Sequence, residues 1–334
     1  AYSANADGTI SQWDVESAEE LATFEGHSDL VNEIALSRDE TRLVSAGREG
    51  NIIVWDASTG DIIVDIPNVN DAPVNSVAFS PGGNNVVSGD VDGNTIVWDL
   101  QGNVVQELGG TNAINSVAYN RDGTYVLIAS DNGARLWNVG TGGLLALFDE
   151  SIRIDRIRDA VFAPNDDTLV LTTGGVTNPQ PRIWEWDTVR QTLLRELPAH
   201  NSPVNSVQFS PDGQFALSAS DDFVMILSDA STGAELRRFV GHTNRVNDMA
   251  FSPDGSRILS AAGDGIMFLW DTSPSGEERR LAGHDLSISD LTYLDEATIL
   301  SSADDGRVRL WDAETGDILN DIQVSNPSVP QTTT

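Results

Sequence analysis

Short apolar runs separated by polar turns recur along the whole chain. The stretch from Arg237 to Asp271 shows the pattern most clearly: a Gly-His pair, an apolar run, a Ser-Pro-Asp-Gly turn, a second run, an Asp-Gly turn and a third run ending in Trp-Asp. Asp264-Gly265 supplies the positive φ that a short hairpin needs. The pattern predicts three strands joined by two hairpins, with a fourth strand, Leu236 to Val240, before the Gly-His pair. One such sheet buries too little apolar surface to be stable alone, so we expect several.

The same arrangement repeats with a period near 42 residues. Successive Trp-Asp endings, or their equivalents, are 42, 43, 39, 49, 42, 42 and 41 residues apart. The closing residues are Trp13, Trp55, Trp98, Trp137, Trp186, Ser228, Trp270 and Trp311. Four short strands in each repeat at this period are typical of a β-propeller, whose blades are four-stranded antiparallel sheets.

These repeats resemble those of the WD-repeat (tryptophan–aspartate) β-propeller family, in the form typical of bacterial chains. The resemblance covers essentially the whole chain, and several repeats carry Gly-His, Ser-Pro-Asp-Gly and Trp-Asp in that order. It implies an all-β propeller of eight blades from a prokaryote. Seven repeats are complete, and their innermost strands are predicted to begin near Val31, Val74, Ile114, Ile157, Val204, Val246 and Ile288.

The two ends of the chain fall in the eighth blade. Ala1 lies at or inside its second strand, so the innermost strand is missing there. Residues 1–324 are predicted to form a single propeller domain. The Thr-rich tail, residues 325–334, either supplies the missing strand, so that the blade is shared between both termini, or forms a linker. Closure by the tail would remove an exposed sheet edge.

The resemblance also implies a buried hydrogen-bond network, made of a loop His, a Ser of the second strand, a turn Asp and the Trp of the third strand, although two repeats have no His at all. Two repeats contain all four residues: His242, Ser260, Asp264 and Trp270, and His284, Ser301, Asp305 and Trp311. A third repeat contains His27, Ser45 and Trp55, with Glu49 in place of Asp. In the repeat of His200, the Trp is replaced by Ser228.

The residues available for chemistry are few. All four histidines occupy the same position of the repeat, so none is left for a catalytic triad, a general base or a metal cluster. The absence of Cys excludes thiol catalysis and zinc-thiolate sites, and the absence of Lys excludes Schiff-base chemistry and a GxxxxGK phosphate loop. The sequence therefore predicts no catalytic residue, no metal site and no cofactor, and a protein that is not an enzyme.

Asparagine follows the first apolar residue of the innermost strand in five repeats. In a propeller these residues are predicted to form a ring at one mouth of the central channel: Asn32, Asn75, Asn115, Asn205 and Asn247. Such a ring either hydrogen-bonds a ligand or ordered water, or serves the structure of the repeat itself.

The repeat between Trp137 and Trp186 is the longest, and its extra length lies in two loops that are predicted to emerge on the same face. Together they form a candidate partner-binding site made of Arg153, Arg156, Arg158, Asn178 and Arg182. Arginine binds carboxylates in a bidentate manner, so we expect an acidic segment of another protein, or an acidic face of a second copy. The alternative is local charge compensation against Asp149, Glu150, Asp155 and Asp159.

The formal net charge of −32 limits the partners. Nucleic-acid binding depends on neutralising phosphates with basic residues, so this class is excluded. No apolar stretch approaches the roughly 20 residues that span a bilayer, so membrane insertion is not expected. The absence of Lys and Cys from the acidic surface favours an extracellular or cell-surface location, with the cytoplasm as the alternative.

The resemblance implies a non-enzymatic scaffold that holds other proteins or peptides on its loops. Two alternatives from other classes remain open. One is a sensory or regulatory module of a longer signalling protein. The other is a structural subunit of an extracellular or surface assembly, in which the chain would associate with its own copies.

Overall fold

The computed structural model describes residues 1–5, 7–14, 17, 19–67, 72–109, 112–148, 156–173, 181, 183–273 and 278–324. Within these ranges 31 β-strands form eight antiparallel sheets, and no helix occurs. We number the sheets as blades 1 to 8 in chain order. Blade 1 has three strands in the described residues, and the other seven blades have four each. The predicted all-β propeller of eight blades is confirmed.

The strands of each blade are consecutive in the chain and pair in chain order. Blade 1 contains β1 Tyr2–Ala4, β2 Thr9–Trp13 and β3 Glu20–Glu25. Blade 2 contains β4 Val31–Leu36, β5 Arg42–Gly47, β6 Ile52–Asp56 and β7 Ile62–Ile66. Blade 3 contains β8 Val74–Phe79, β9 Asn85–Asp90, β10 Thr95–Asp99 and β11 Val104–Glu107. Blade 4 contains β12 Ile114–Tyr119, β13 Tyr125–Ser130, β14 Gly133–Asn138 and β15 Gly143–Phe148.

The same order continues in the second half of the chain. Blade 5 contains β16 Ala160–Ala163, β17 Asp166–Thr173, β18 Ile183–Asp187 and β19 Thr192–Glu196. Blade 6 contains β20 Val204–Phe209, β21 Phe215–Ser220, β22 Val224–Asp229 and β23 Glu235–Val240. Blade 7 contains β24 Val246–Phe251, β25 Arg257–Ala262, β26 Ile266–Asp271 and β27 Glu278–Ala282. Blade 8 contains β28 Ile288–Tyr293, β29 Thr298–Ala303, β30 Arg307–Asp312 and β31 Ile318–Gln323.

The chain divides into two compact units. The first comprises Ala1–Asp131, Arg135–Leu145 and Val324–Thr334, and the second comprises Asn132–Ala134 and Ala146–Gln323. Within each unit, the buried apolar side chains lie between successive blades. In the second unit, for example, Leu217 and Phe239 of blade 6 pack with Val246 and Trp270 of blade 7 in one cluster. Burial of side chains of this size contributes about 1.5–3 kcal/mol each, so packing between sheets is the main source of stability.

The first strand of blade 5 differs from its prediction. Strand β16 begins at Ala160 rather than near Ile157. The main-chain N–H groups of Arg158 and Asp159 donate to Oγ1 of Thr173, at 2.8 and 3.1 Å, instead of to a carbonyl of the neighbouring strand. A side-chain oxygen thus replaces the regular strand pairing at this point.

The first strands share one irregularity. In β4, β8, β12, β20, β24 and β28 the pairing shifts by one residue at the second position, which is a β-bulge. In β24, for example, Val246 pairs with Ala262 and Asp248 with Ala261, so Asn247 has no partner of its own. A bulge redirects the side chains around it, and these are the positions of the predicted asparagine ring.

The predicted role of residues 325–334 as the closing strand lies outside the described residues. In the described part of blade 1, β1 pairs with β2 alone.

Candidate functional site

Each blade has one end formed by the loop before the first strand and the turn between the second and third strands, and the histidine networks of blades 2, 6, 7 and 8 lie there. We call this the upper end. In blade 7, His242 Nε2 lies 2.8 Å from Ser260 Oγ, and His242 Nδ1 lies 3.2 Å from Asp264 Oδ2. Trp270 Nε1 donates to the same Ser260 Oγ at 2.9 Å. The structure therefore brings together all four residues that the resemblance implied for this blade.

The other networks are variants of this arrangement. In blade 8, His284 contacts Ser301 Oγ at 2.8 Å and Asp305 Oδ2 at 2.9 Å, and Trp311 donates to Ser301. Blade 8 adds a buried Arg309, whose Nη1 lies 3.2 Å from Asp305 Oδ2.

In blade 2, Glu49 takes the place of Asp and contacts His27 Nδ1, while His27 Nε2 lies 2.6 Å from Ser45 Oγ. Trp55 Nε1 donates to Ser45 Oγ at 2.8 Å. In blade 6, His200 contacts Ser218 at 2.8 Å and Asp222 at 3.1 Å, and Ser228 stands where the other networks have Trp.

The imidazoles of blades 7 and 8 are held in the neutral form. Burial lowers the pKa of His242 below its ordinary value and outweighs the opposite effect of Asp264. Burial likewise lowers the pKa of His284, and this outweighs the hydrogen bond and the charge of Asp305. In blade 7 the neutral ring of His242 donates from Nδ1 to the Asp264 carboxylate and accepts at Nε2 from the Ser260 hydroxyl.

The order Ser, His, Asp is that of a catalytic relay, but the serine hydroxyl of these blades is out of reach of a substrate. Ser260 is 0% exposed, and its Oγ also accepts the indole N–H of Trp270. The network ties the loop before the first strand to the turn between the second and third strands. It therefore makes the upper end of the blade rigid.

The predicted asparagine ring is engaged in bonds between neighbouring blades. In four cases the side-chain amide donates to the main-chain carbonyl of the residue that starts the first strand of the next blade. These bonds are Asn32 to Val74 at 2.8 Å, Asn75 to Ile114 at 2.9 Å, Asn205 to Val246 at 2.8 Å and Asn247 to Ile288 at 2.6 Å. Asn115 donates to Asp131 Oδ1 at 2.9 Å. The four bonds between blades give these asparagines a structural role. A role in ligand binding stays a prediction.

In four blades the residue after the asparagine position supplies a second bond between blades. Its side-chain oxygen accepts the main-chain N–H of the residue three places after the start of the next first strand. These acceptors are Glu33 for Val77 N at 2.6 Å, Ser76 for Val117 N at 3.1 Å, Asp159 for Val207 N at 3.1 Å and Asp248 for Leu291 N at 3.1 Å. Sequence reasoning missed this position, although a polar residue recurs there one place after each asparagine.

Arg158 occupies the asparagine position of blade 5. Its Nη1 donates to Asn205 Oδ1 and lies 3.3 Å from Asp221 Oδ2, both in blade 6. Its side chain remains 31% exposed. Local charge compensation thus exists for this arginine, but the carboxylate is Asp221 and not one of the four acids that the sequence suggested. Asp159 accepts hydrogen bonds from Ser206 Oγ and Val207 N.

The rest of the predicted arginine cluster is described only in part. Arg156 is exposed and has a polar partner in the structure. Arg153, Asn178 and Arg182 lie outside the described residues, as do Asp149, Glu150 and Asp155. The structure therefore places Arg156 and Arg158 at the upper end of blade 5, and the complete cluster stays a prediction.

A pair of carboxyl groups, which sequence reasoning also missed, lies between the first strands of blades 7 and 8. Removal from water raises the pKa of Asp248 well above its ordinary value, and the charge of Asp290 and a hydrogen bond with it act in the same direction. Two neighbouring carboxylates avoid mutual repulsion by holding one proton between them. The signal in the sequence is the acid at the third position of both strands.

In the part of the chain that the structure describes, no three His, Asp or Glu side chains are grouped so that they could hold a metal ion. None of the described segments is a helix of the length and apolar character that crossing a membrane requires.

The sequence profile of the WD40 family, described as "WD domain, G-beta repeat", matches six segments of the chain, residues 18–56, 67–99, 102–138, 191–227, 233–271 and 276–312. The longest repeat, which forms blade 5, lies mostly between the third and fourth of these segments.

Similar proteins include the serine-threonine kinase receptor-associated protein of Gallus gallus, 27% identical over 222 residues, which are 66% of this chain and 60% of that protein. Another is the guanine nucleotide-binding protein subunit beta of Oryza sativa subsp. japonica, 28% identical over 226 residues, 64% of this chain and 59% of that protein. The match thus spans about three fifths of the length of these relatives. Among solved structures, the computationally designed Ika8 protein has a TM-score of 0.81 and 27% identity, covering 93% of this chain and 92% of that one.

Proposed function

The chain belongs to the WD40 repeat family, and from this premise we propose that it is a non-enzymatic scaffold that binds a segment of another protein at the upper ends of its blades. Domains of this family hold other proteins on loops carried by a rigid set of sheets. The similar proteins are a receptor-associated protein and a subunit of a larger protein, and their names agree with such a role.

The observation that carries the proposal is the combination of rigid networks with exposed polar side chains at the same ends of the blades. His200 and Asp222 fix the upper end of blade 6, while Arg156 and Arg158 of blade 5 reach the surface beside it. Side chains held on a rigid support lose little conformational entropy when a partner binds. We propose an acidic segment as the partner, because guanidinium groups favour carboxylates.

The test is a cross-linking co-purification from the native source with the full chain. The variant is Arg156→Glu with Arg158→Glu, and the matched control is Arg38→Glu with Arg280→Glu, two exposed arginines of blades 2 and 7. We expect the same partners with the unchanged chain and the control, and their loss with the blade 5 variant. Thermal melts check that both variants are folded.

Each other outcome has a definite meaning. Partners that remain with the blade 5 variant would show that the arginines do not recognise them. Cross-links only between copies of the chain would favour a self-associating structural subunit. If the unchanged chain yields no partner at all, the scaffold role itself is wrong.

A further inference from the structure

The turn between β21 and β22 in blade 6 contains an unusual residue. Phe223 has a φ of 70°, the left-handed region that bulky side chains rarely adopt. In blades 1, 2, 3, 7 and 8 the corresponding residue is glycine, with φ between 72° and 99°: Gly8, Gly50, Gly93, Gly265 and Gly306. A strained residue that carries a large side chain is a reason to look for function at this turn.

In other blades this turn lies directly against the loop that starts the next blade. A Cβ atom on Gly265 would come 2.9 Å from the carbonyl oxygens of His284 and Leu286, and a Cβ on Gly93 would come 2.7 Å from Asn112 N. Phe223 does have a Cβ. The loop before Val246 in blade 7 must therefore leave more space beside this turn than its counterparts do.

The turn around Phe223 is held rigidly by its neighbours. Asp222 accepts hydrogen bonds from His200 Nδ1 and from Asn201 N, the latter at 2.8 Å, and Ser220 Oγ donates to Ser202 O at 2.9 Å. Burial raises the pKa of Asp222, but these hydrogen bonds more than offset it and keep the carboxyl ionised. The aromatic ring, 41% exposed, is thus presented by a fixed backbone.

An exposed apolar residue lies next to this ring in the fold, and the loop that follows that residue carries an arginine. Val224 of β22 pairs with Val240 of β23. Phe223 directly precedes Val224, so Phe223 and Val240 lie at the same end of these two strands. Val240 is 68% exposed. The loop that follows Val240 ends at Arg245, which is exposed. Among the described residues, the guanidinium of Arg245 has no hydrogen bond or ion pair.

The carboxylates of the neighbouring turns already have hydrogen-bond or ion-pair partners. Asp222 is bonded to His200, Asp221 lies 3.3 Å from Arg158, and Asp264 is bonded to His242. An unpaired arginine beside exposed apolar side chains complements a ligand that combines a carboxylate with an apolar group. Exposed aromatic and arginine side chains on a fixed backbone are also the types that dominate binding energy at protein interfaces.

We propose that Phe223, Val240 and Arg245 form a docking corner for a peptide segment with an apolar anchor residue next to acidic residues. The anchor packs on Phe223 and Val240, and a neighbouring carboxylate binds Arg245. This assignment rests on the proposed scaffold function and deepens it by giving the chemical class of the partner.

The experiment uses the full chain and an array of synthetic ten-residue peptides. One set places Leu or Phe beside Asp and Glu, a second set replaces the acids by Arg and Lys, and a third replaces the anchor by Ser. The strongest binder is titrated by fluorescence anisotropy against the unchanged chain, Phe223→Gly, Arg245→Glu, Arg158→Glu and the control Leu144→Thr. Leu144 is an apolar residue of blade 4 with a similar exposure, 47%.

We expect the first set to bind, with Kd raised at least about tenfold by Phe223→Gly and by Arg245→Glu and less than about twofold by Leu144→Thr. The glycine variant should fold, because glycine stands at this turn in five other blades. Binding of the first set that depends on Arg158 but not on Phe223 would overturn the corner and leave the scaffold function standing. Preference for the basic set would overturn the partner class, and no binding by any set would overturn the corner outright.

Discussion

The side-chain amide of Asn247 donates a hydrogen bond of 2.6 Å to the carbonyl oxygen of Ile288, the first residue of the first strand in the next blade. The same amide also donates to Ser287 Oγ at 3.0 Å. Asn247 has no strand partner of its own because it is the extra residue of a bulge. A residue that is irregular within its own sheet thus becomes the link to the neighbouring one.

Replacing Asn247 by Ala should lower the free energy of unfolding by about 1–2 kcal/mol, because the Ile288 carbonyl loses its donor. Urea unfolding followed by tryptophan fluorescence measures the change. Asn84→Ala serves as the control, since Asn84 is exposed in a turn and should change the midpoint little. Equal midpoints for both variants would show that the bond between blades contributes nothing.

His242→Ala should cost on the order of 1–3 kcal/mol, because it removes the buried hydrogen-bond partner that Ser260 Oγ and the Asp264 carboxylate share. Urea melts give the value. The control is Thr243→Ala, whose exposed hydroxyl makes only a 3.4 Å contact with Asp264. An unshifted midpoint for the histidine variant would contradict the structural role of the network.

Stability should fall as the pH is lowered from 8 to 5. The pKa values of His242 and His284 are lowered by burial in the folded chain, so the unfolded chain binds protons more readily below about pH 6.5. Proton uptake therefore favours unfolding, and the loss begins at the unfolded pKa and continues toward the folded one. Urea melts at half-unit pH steps measure the slope.

The double variant His242→Ala with His284→Ala tests the source of this slope. Between pH 8 and 5 its stability should vary less with pH than that of the unchanged chain. An identical slope in both proteins would assign the pH dependence to other groups.

Asp248 should contribute with the opposite sign. Its pKa is raised, so the folded chain holds the proton more tightly than the unfolded chain, and its contribution is present below about pH 4 and lost as the pH rises through the folded pKa. Asp248→Asn mimics the protonated form, since its amide can donate to Asp290 and its oxygen can still accept from Leu291 N. We expect a gain of about 1–2 kcal/mol at pH 8.

The same substitution at Asp39 is the control, because that carboxyl is exposed and its pKa is lowered to about 2 by hydrogen bonds with Ser37 and Thr41. Urea melts at pH 8 compare the two variants. Destabilisation by Asp248→Asn would mean that the carboxylate is needed in its charged form.

Two substitutions separate strain from side-chain contacts at Phe223. Phe223→Ala removes the ring but keeps a Cβ at a φ of 70°, whereas Phe223→Gly also relieves the left-handed conformation, which costs an L-residue roughly 1–2 kcal/mol. The glycine variant should therefore be more stable than the alanine variant by about 1 kcal/mol. Thermal and urea melts give the difference, and equal stabilities would show that the turn is unstrained.

The sequence predicted the structural features that recur in every repeat. Trp-Asp endings, Asp-Gly turns and apolar runs recur with one period, so the strands and the eight blades followed from them, and β24 begins at Val246 as predicted. The start of β16 did not follow, because Thr173 accepts the main-chain donors that would otherwise pair in a strand. Such a contact joins residues far apart in the chain and leaves no periodic signal.

The sequence predicted some of the residues of the candidate site, but it did not predict which residues they contact. Arg158 was singled out, but its partner Asp221 lies 63 residues further along the chain. Phe223 was missed because an apolar residue after an Asp pair reads as the start of a strand. Comparison of the same turn position among the repeats, where glycine is usual, would have revealed it.

The two kinds of hydrogen bond that join the first strands of successive blades bear on how such a chain can gain repeats during evolution. In blade 6, whose first strand begins at Val204, Asn205 donates to the next blade, while Val207 N donates to Asp159 of the preceding blade. A duplicated repeat of this kind would carry the donors and acceptors for these hydrogen bonds on both of its sides. Lengthening of the gene by copying a repeat therefore needs no simultaneous change in its neighbours, and the number of blades can change more easily than the contacts that join them.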